Sequence, residues 1–179
     1  LSGCGTSLKS TALTPDRLQA GIRLQRSLPD NLPSGTQVLP QEQLVLVPTE
    51  SAAGLLMPVP FVAEAIASTF DKAEATAAAQ RLATVDPFAA ARLAWQGSPL
   101  MTESDAALVL RPFAFLQACA DDQYRVALVY QLNQGDWVAR YTVHLRTTYG
   151  ENDFHRVTPS VLQSLNLEIA EGSVLLRTL

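Results

Sequence analysis

The chain has 179 residues, of which 47% are hydrophobic and 17% charged, and a formal net charge of −4. This length fits a single domain, or one domain with a tail, and the composition supports a packed core and excludes wholesale disorder. The negative charge balance argues against nucleic acid as a partner, because proteins that bind it concentrate positive charge.

The N-terminal residues contain a candidate lipidation site. Leu1, Ser2, Gly3 and Cys4 place an aliphatic residue and two small residues directly before a cysteine. This pattern resembles the lipobox of bacterial lipoproteins, in which the cysteine thiol accepts a diacylglyceryl group. The resemblance implies that Cys4 is lipidated and begins the mature protein. It also implies an outer-membrane address facing the periplasm, because Gly5 stands where an Asp tends to retain such proteins in the inner membrane.

The resemblance divides the chain into two regions. We expect residues 1–14 to hold the signal-peptide remnant, the lipidation site and a flexible tether, and residues 15–179 to form one globular periplasmic domain. No apolar run approaches the roughly 18 residues that a membrane-spanning helix needs, so the membrane contact would depend on Cys4. With Cys4 lipidated, Cys119 has no intramolecular partner, which excludes a disulfide framework and makes Cys119 a small packing residue.

The first half of the domain mixes short strands with helices. Residues 15–25 have the composition of one short helix, and residues 36–40 and 43–47 have strand character, the latter suited to burial on both faces. Residues 54–60 form an apolar connector broken by prolines, which either contacts a partner or a lipid or folds over the core. Residues 61–84 then predict a long helix with one apolar stripe. We expect it to pack on the sheet; the alternative is a helix on the membrane surface, which its acidic residues disfavour because they would repel anionic lipid.

Capping residues locate a second helix. Asp86 precedes Pro87, which is the order expected of an N-cap and the first helical position. The helix should run to about Gln96 and end at Gly97, because glycine is favoured just past a helix C-terminus.

A β-hairpin around residues 133–136 is the clearest structural signal. Pairing Leu132 with Trp137 places apolar or aromatic residues opposite one another along one face, and a shift of one residue would place Arg and Thr there instead. In this register Gln134 and Gly135 form the turn. The remaining pairs are Tyr130 with Ala139, Leu128 with Tyr141, Val126 with Val143, and Tyr124 with Leu145.

The elements flanking the hairpin complete the fold. Residues 106–118 should form a third strand, in which Pro112 suggests an edge position or a bulge. After a polar loop over 149–157, Thr158 and Pro159 begin a helix that runs to about residue 170, where Gly172 closes it before a final strand over 174–176. The sequence therefore predicts an α+β fold: a mostly antiparallel sheet of four to five strands with two or three helices packed on one face. A βαβ-type start, from the strand near Leu44 through the helices to the strand near Leu108, would allow some parallel pairing.

Motifs for catalysis or for metal binding are missing from the sequence. The two histidines, His144 and His155, belong to no spaced metal motif, and there is no CxxC pair, Gly-x-Ser-x-Gly elbow or phosphate-binding glycine loop. Asp153 and His155 with a distant serine would make only a chance triad. The sequence thus predicts no catalytic residue, no metal and no cofactor.

One group of basic residues predicts a binding surface. Arg125, Arg140, His144 and Arg146 fall on the hairpin face opposite the apolar one, with Arg125 opposite His144 and Arg140 one diagonal step away. Such a stripe is suited to a phosphate or a carboxylate of a lipid head group or an envelope glycan. The alternative is a solvated sheet face whose arginines pair with acidic residues from elsewhere.

These observations favour a protein that is not an enzyme. We expect a non-catalytic outer-membrane lipoprotein that acts as a tethered binding or assembly subunit of the cell envelope, with the membrane and an envelope protein as partners. The alternative is a lipid- or glycan-binding accessory of an envelope transport system, and a periplasmic hydrolase is a third reading. A hydrolase would require a deep pocket with a Ser, a Cys or an acid pair beside His144 or His155.

Overall fold

The computed structural model describes residues 13–28, 37–38, 43–46, 80–118, 123–150 and 157–178. Cys4, Cys119, His155 and the connector over 54–60 lie outside the described residues, as does the expected helix over 61–84 except for its last five residues. The elements in chain order are α1 (Pro15–Leu18), β1 (Ile22–Leu24), β2 (Gln37–Val38), β3 (Leu44–Leu46), α2 (Pro87–Trp95), β4 (Leu108–Ala118), β5 (Gln123–Gln134), β6 (Trp137–Gly150) and α3 (Pro159–Arg177).

The strands form one mixed sheet, which confirms the predicted α+β class. Within the described ranges the hydrogen-bonded order is β2-β3-β4-β5-β6, and β1 pairs with β4 outside this path. The pairs β2–β3, β4–β5 and β5–β6 are antiparallel, whereas β1 and β3 run parallel to β4. The sheet is therefore mostly antiparallel, and its parallel part comes from the connection between the N-terminal strands and β4.

Two helices pack on the first face of the sheet and bury the main core. Ala91 and Trp95 of α2 and Leu165 and Ile169 of α3 belong to one cluster with the inward side chains of the strands. Because side chains alternate between the two faces of a strand, this face collects every second residue of β4, β5 and β6. Its strand residues include Leu108, Leu110, Ala114, Val126, Leu128, Tyr130, Leu132, Ala139, Tyr141, Val143 and Leu145.

The hairpin forms, but its register differs by two residues from the predicted one. Leu132 pairs with Ala139 instead of Trp137, so that the connection shortens to a two-residue turn in which Gly135 has a φ of +55°. Two-residue turns are the commonest connections in β-hairpins, and glycine accepts the positive φ without strain. A shift of two residues leaves every side chain on its face, so the predicted apolar face is confirmed while the predicted partners are wrong.

The predicted N-terminal helix over 15–25 is too long. The helix α1 ends at Leu18, and residues 22–24 form β1 beside β4. Between them, Gly21 has a φ of +78°, and a Cβ on it would lie 2.5 Å from Cγ2 of Thr102. Only glycine meets both conditions, and the Gly21 carbonyl accepts a hydrogen bond from Leu108 N at 3.0 Å. This turn starts the parallel pairing of β1 with β4, which the sequence did not predict, whereas the predicted parallel pairing of the strand near Leu44 with β4 is confirmed.

The last helix begins as predicted but ends later. Thr158 is the N-cap and accepts a hydrogen bond from Val161 N at 3.3 Å. The helix continues through Gly172 to Arg177, so the predicted end near residue 170 and the final strand over 174–176 are wrong. Gly172 is buried between the helix and the sheet, and it therefore serves close packing and not helix termination.

The strand β4 is central, so the predicted edge position or bulge at Pro112 is wrong. β5 pairs along one side of β4, while the other side is shared by β1, at 108–110, and β3, at 114–116. On that side Leu110 O accepts from Gln25 N and Ala114 N donates to Gln43 O. Even-numbered residues therefore direct their N–H groups to this side, and Pro112, which has none, lies in the gap between the two short partners.

A candidate anion-binding face of the sheet

The second face of the sheet, opposite α2 and α3, arranges its side chains in rows across β4, β5 and β6. The pairing gives a polar row, two rows with a mainly apolar centre, and then a second basic region around Arg125. The first row is Arg111, Gln131 and Arg140; the next two are Phe113, Val129 and Thr142, then Phe115, Ala127 and His144. The apolar members are fully buried with Val45 in a second cluster. The basic groups on this face therefore form two separate regions.

The first polar row is a hydrogen-bonded network. Arg140 Nε donates to Gln131 Oε1 at 2.7 Å, and Gln131 Nε2 donates to Asn133 Oδ1 at 3.0 Å. Arg111 Nη1 donates to the same Asn133 oxygen at 2.6 Å, and Arg111 Nε donates to Ser27 Oγ at 2.9 Å. Burial lowers the pKa of Arg140. Both guanidinium groups thus have acceptors inside the protein, which makes this row part of the structure of the sheet.

The second basic region contains Arg125 and His144 in a geometry that differs from the predicted one. Arg125 pairs with Thr148, and His144 pairs with Ala127, because β6 has two additional residues between these pairs. The bulge converts the predicted direct pair into diagonal neighbours on one face, a distance that long side chains can bridge. The two groups interact: burial, and to a smaller extent the charge of Arg125, lower the pKa of His144.

Neither of these two side chains has its hydrogen-bonding capacity met. Arg125 Nε and His144 Nδ1 are buried, and neither has a hydrogen-bond partner in the described ranges. A buried donor or acceptor without a partner costs about 1–3 kcal/mol, so such groups in a folded protein require an explanation. Here two of them belong to neighbouring side chains, one cationic and one titratable, and both side chains are partly exposed, so that their outer nitrogens are open to an external group.

Three arginines elsewhere in the described ranges have clear structural roles. Arg23 forms an ion pair with Asp105 at 2.9 Å, and Arg26 forms one with Asp86 at 2.6 Å. Arg17 stacks over the ring of Trp137 at 4.4 Å. Arg125 has no comparable partner in this part of the chain, and it is partly buried whereas the arginines at 81, 92 and 146 are exposed, so its position requires an explanation.

The structure divides the predicted basic stripe into parts. Arg125 and His144 remain together, Arg140 belongs to the row with Gln131, and Arg146 is an exposed residue of the bulged segment of β6. The sequence reasoning missed Arg111. Period-two alternation along residues 106–118 was a sufficient signal for it, because Leu108 and Leu110 on the first face place Arg111 on the second.

The arrangement of this face offers hydrogen-bond donors and positive charge, which is the chemistry that recognises an oxyanion. Among the described residues no group of three His, Cys, Asp or Glu side chains is placed to hold a metal ion. Comparison of the chain with protein-family models, with curated proteins and with solved structures gives no match.

Proposed function

We propose that this protein is a non-catalytic outer-membrane lipoprotein, anchored through Cys4 and facing the periplasm, that acts as a tethered binding or assembly subunit of the cell envelope. The address is supported by the resemblance of residues 1–4 to a lipobox. None of the described helices combines the length and apolarity that a membrane crossing requires. The anchor and the binding role are separate parts of the proposal, and each has its own test.

The juxtaposition of Arg125 and His144 carries the binding role: they are diagonal neighbours on one face, and one nitrogen of each is buried without a hydrogen-bond partner among the described residues. Those buried nitrogens are closed to solvent, so an external anion would bind at the outer nitrogens of the same two side chains and neutralise the cation. Both residues stand on strands of one sheet, and a rigid scaffold holds such groups in place at low entropic cost.

A second candidate function follows from the same observation. Lipid head groups and envelope glycans carry phosphate or carboxylate groups, and a protein that recognises them would serve as an accessory of an envelope transport system. The two candidates differ in what accompanies the purified protein. An assembly subunit retains a protein partner after membrane extraction, whereas a lipid- or glycan-binding accessory retains the small ligand.

The intact mass of the protein tests the anchor. The full native precursor is expressed in a Gram-negative host, and the product is extracted from membranes. We expect a species that begins at Cys4 and carries the additional mass of acyl chains. Cys119→Ser should keep this mass, whereas Cys4→Ser should lose it and leave the membrane fraction. An unmodified wild-type chain that retains residues before Cys4 would show that the anchor is wrong.

Extraction of the same lipidated protein in mild detergent tests the binding role. We expect a protein or a small anionic ligand to accompany the wild-type protein and to be lost from Arg125→Gln. Arg146→Gln removes the same charge from an exposed position and should retain it. If the wild-type and Arg125→Gln proteins carry the same material, or none, the binding role of this face is refuted while the anchor stands.

A further inference from the structure

We infer that Arg125 and His144 form a site for one phosphate group, whether borne by a lipid head group or by a soluble phosphate compound. This inference rests on the proposed binding role and names its ligand class. Of the four basic residues suggested by the sequence, it selects two and excludes Arg140, whose guanidinium already serves the row with Gln131.

The arrangement of the donors favours phosphate over carboxylate. A carboxylate has two coplanar oxygens, which a single guanidinium fork can satisfy. Here the donors come from two side chains on neighbouring strands, placed diagonally by the bulge. A phosphate has several oxygens in a tetrahedral arrangement and accepts from both directions at once. The backbone partner of Arg125 on β6 is Thr148, which is exposed and adds a hydroxyl beside the site.

The burial of one nitrogen in each side chain identifies the nitrogens that remain open to the ligand. His144 Nδ1 is buried without a partner, which leaves Nε2 as the ring nitrogen able to donate to an external oxygen. Arg125 Nε is likewise buried, which leaves the two terminal nitrogens of the guanidinium for the same ligand. Both side chains are partly exposed, so these outer nitrogens are the ones a solvent-borne group can approach.

The same geometry couples phosphate binding to a proton. In the described part of the chain Arg125 on β5 is the charged group that acts on His144, and it opposes protonation. Arg146 and Arg140, the other cations along β6, would act in the same sense. A bound phosphate reverses the local field, so it favours the imidazolium form and raises the pKa of His144. By linkage, protonation of His144 strengthens phosphate binding by the same factor.

The ring signals of His144 provide the test. They are followed by NMR as a function of pH in the full 179-residue chain carrying Cys4→Ser, with His155→Gln used to assign the two histidines. Inorganic phosphate is added at constant ionic strength against chloride. We expect a saturable rise in the pKa of His144 of about one unit, which corresponds to about tenfold tighter binding to the protonated form.

Substitutions decide whether the site is the one described. Arg125→Gln should abolish the phosphate-dependent rise, and the matched control Arg146→Gln should preserve it. Arg125→Lys retains the charge and provides a folded variant if Arg125→Gln is unstable, and it should weaken the rise because the guanidinium fork is lost. A pKa of His144 that phosphate leaves unchanged, or that rises equally in Arg125→Gln, would overturn the inference.

Vesicle flotation separates the two sources of the phosphate. If the protein floats with phosphatidylglycerol vesicles and Arg125→Gln does not, the ligand is a lipid head group. If phosphate shifts His144 and neither protein floats, the ligand is a soluble phosphate compound. An absence of both effects refutes the phosphate site, and it leaves the lipid anchor, which the intact mass measures independently, unaffected.

Discussion

Substitution of Gly172 by alanine tests whether close packing of α3 on the sheet, and not helix propensity, determines this residue. Gly172 lies in the interior of α3, where alanine would ordinarily stabilise a helix by about 1 kcal/mol. A Cβ at this position, however, would lie 3.2–3.3 Å from methyl groups of Leu128, Leu145 and Val143. These distances are shorter than the roughly 3.5–4.0 Å at which carbon atoms pack favourably.

The balance of these two effects sets the expected magnitude. All three methyl groups belong to buried residues of the core, so they must move together or α3 must lift from the sheet. Overpacking of this kind costs about 1–3 kcal/mol. After subtraction of the gain in helix propensity, we expect Gly172→Ala to lower the free energy of unfolding by about 1 kcal/mol. For a chain of this length that lowers the Tm by roughly 2–4 °C.

Urea denaturation followed by far-UV circular dichroism and tryptophan fluorescence measures this change. The matched control is Ala170→Gly, because Ala170 is an exposed residue of the same helix. There the substitution changes propensity alone and should cost about 1 kcal/mol. If Gly172→Ala instead stabilises the protein by as much as Ala170→Gly destabilises it, packing does not constrain residue 172 and the reasoning is refuted.

Three further predictions concern capping and titration. Asp86 caps α2 by accepting from two backbone N–H groups, so Asp86→Ala should lower the free energy of unfolding by about 1 kcal/mol. In the same urea measurement Asp86→Asn should cost less, because asparagine keeps the side-chain acceptor of the cap. Burial raises the pKa of Tyr130 to about 12, so the unfolded phenol ionises first and stability should fall as the pH rises from about 10 toward 12. Ultraviolet difference titration should show an ionisation near pH 12 in the wild type that Tyr130→Phe removes, while the raised titration of Tyr141 remains. The pKa of His144 is lowered from 6.5 by burial and by Arg125, so protonation favours the unfolded chain and stability should fall below about pH 6.5. NMR titration in phosphate-free buffer measures the pKa of His144 in the wild type and in Arg125→Gln. A wild-type pKa above 6.5, or a pKa that does not rise in Arg125→Gln, would contradict this account.

Local signals in the sequence predicted the elements that depend on neighbouring residues. Asp86 followed by Pro87, and Thr158 followed by Pro159, located the starts of both long helices, and the structure has these residues at the caps. A cap is satisfied by backbone groups only two or three residues further along the chain, so its sequence pattern is sufficient. The end of α2 follows the same logic, since Gly97 has a φ of +73°.

Tertiary contacts determined what the glycines and Pro112 do. Gly172 was interpreted as a helix stop, but its small size is required by the sheet against which α3 packs. Gly21 was placed inside a helix, but its conformation joins β1 to β4. Pro112 is accommodated because two short strands share one side of β4 and leave a gap between them. In each case the deciding contact joins segments far apart in the sequence.

The candidate site shows the same division between local and tertiary information. Alternation of residues along the hairpin was sufficient to place Arg125, Arg140 and His144 on the face opposite the apolar one, because the period of two is a property of each strand alone. Which of these residues are neighbours depends on the register and on the bulge in β6, and both are set by the pairing of whole strands and by a two-residue turn. The sequence by itself thus determined the faces of the strands and the caps of the helices. The tertiary structure alone decided which charged groups are neighbours, because only the packing of distant segments fixes the register between paired strands.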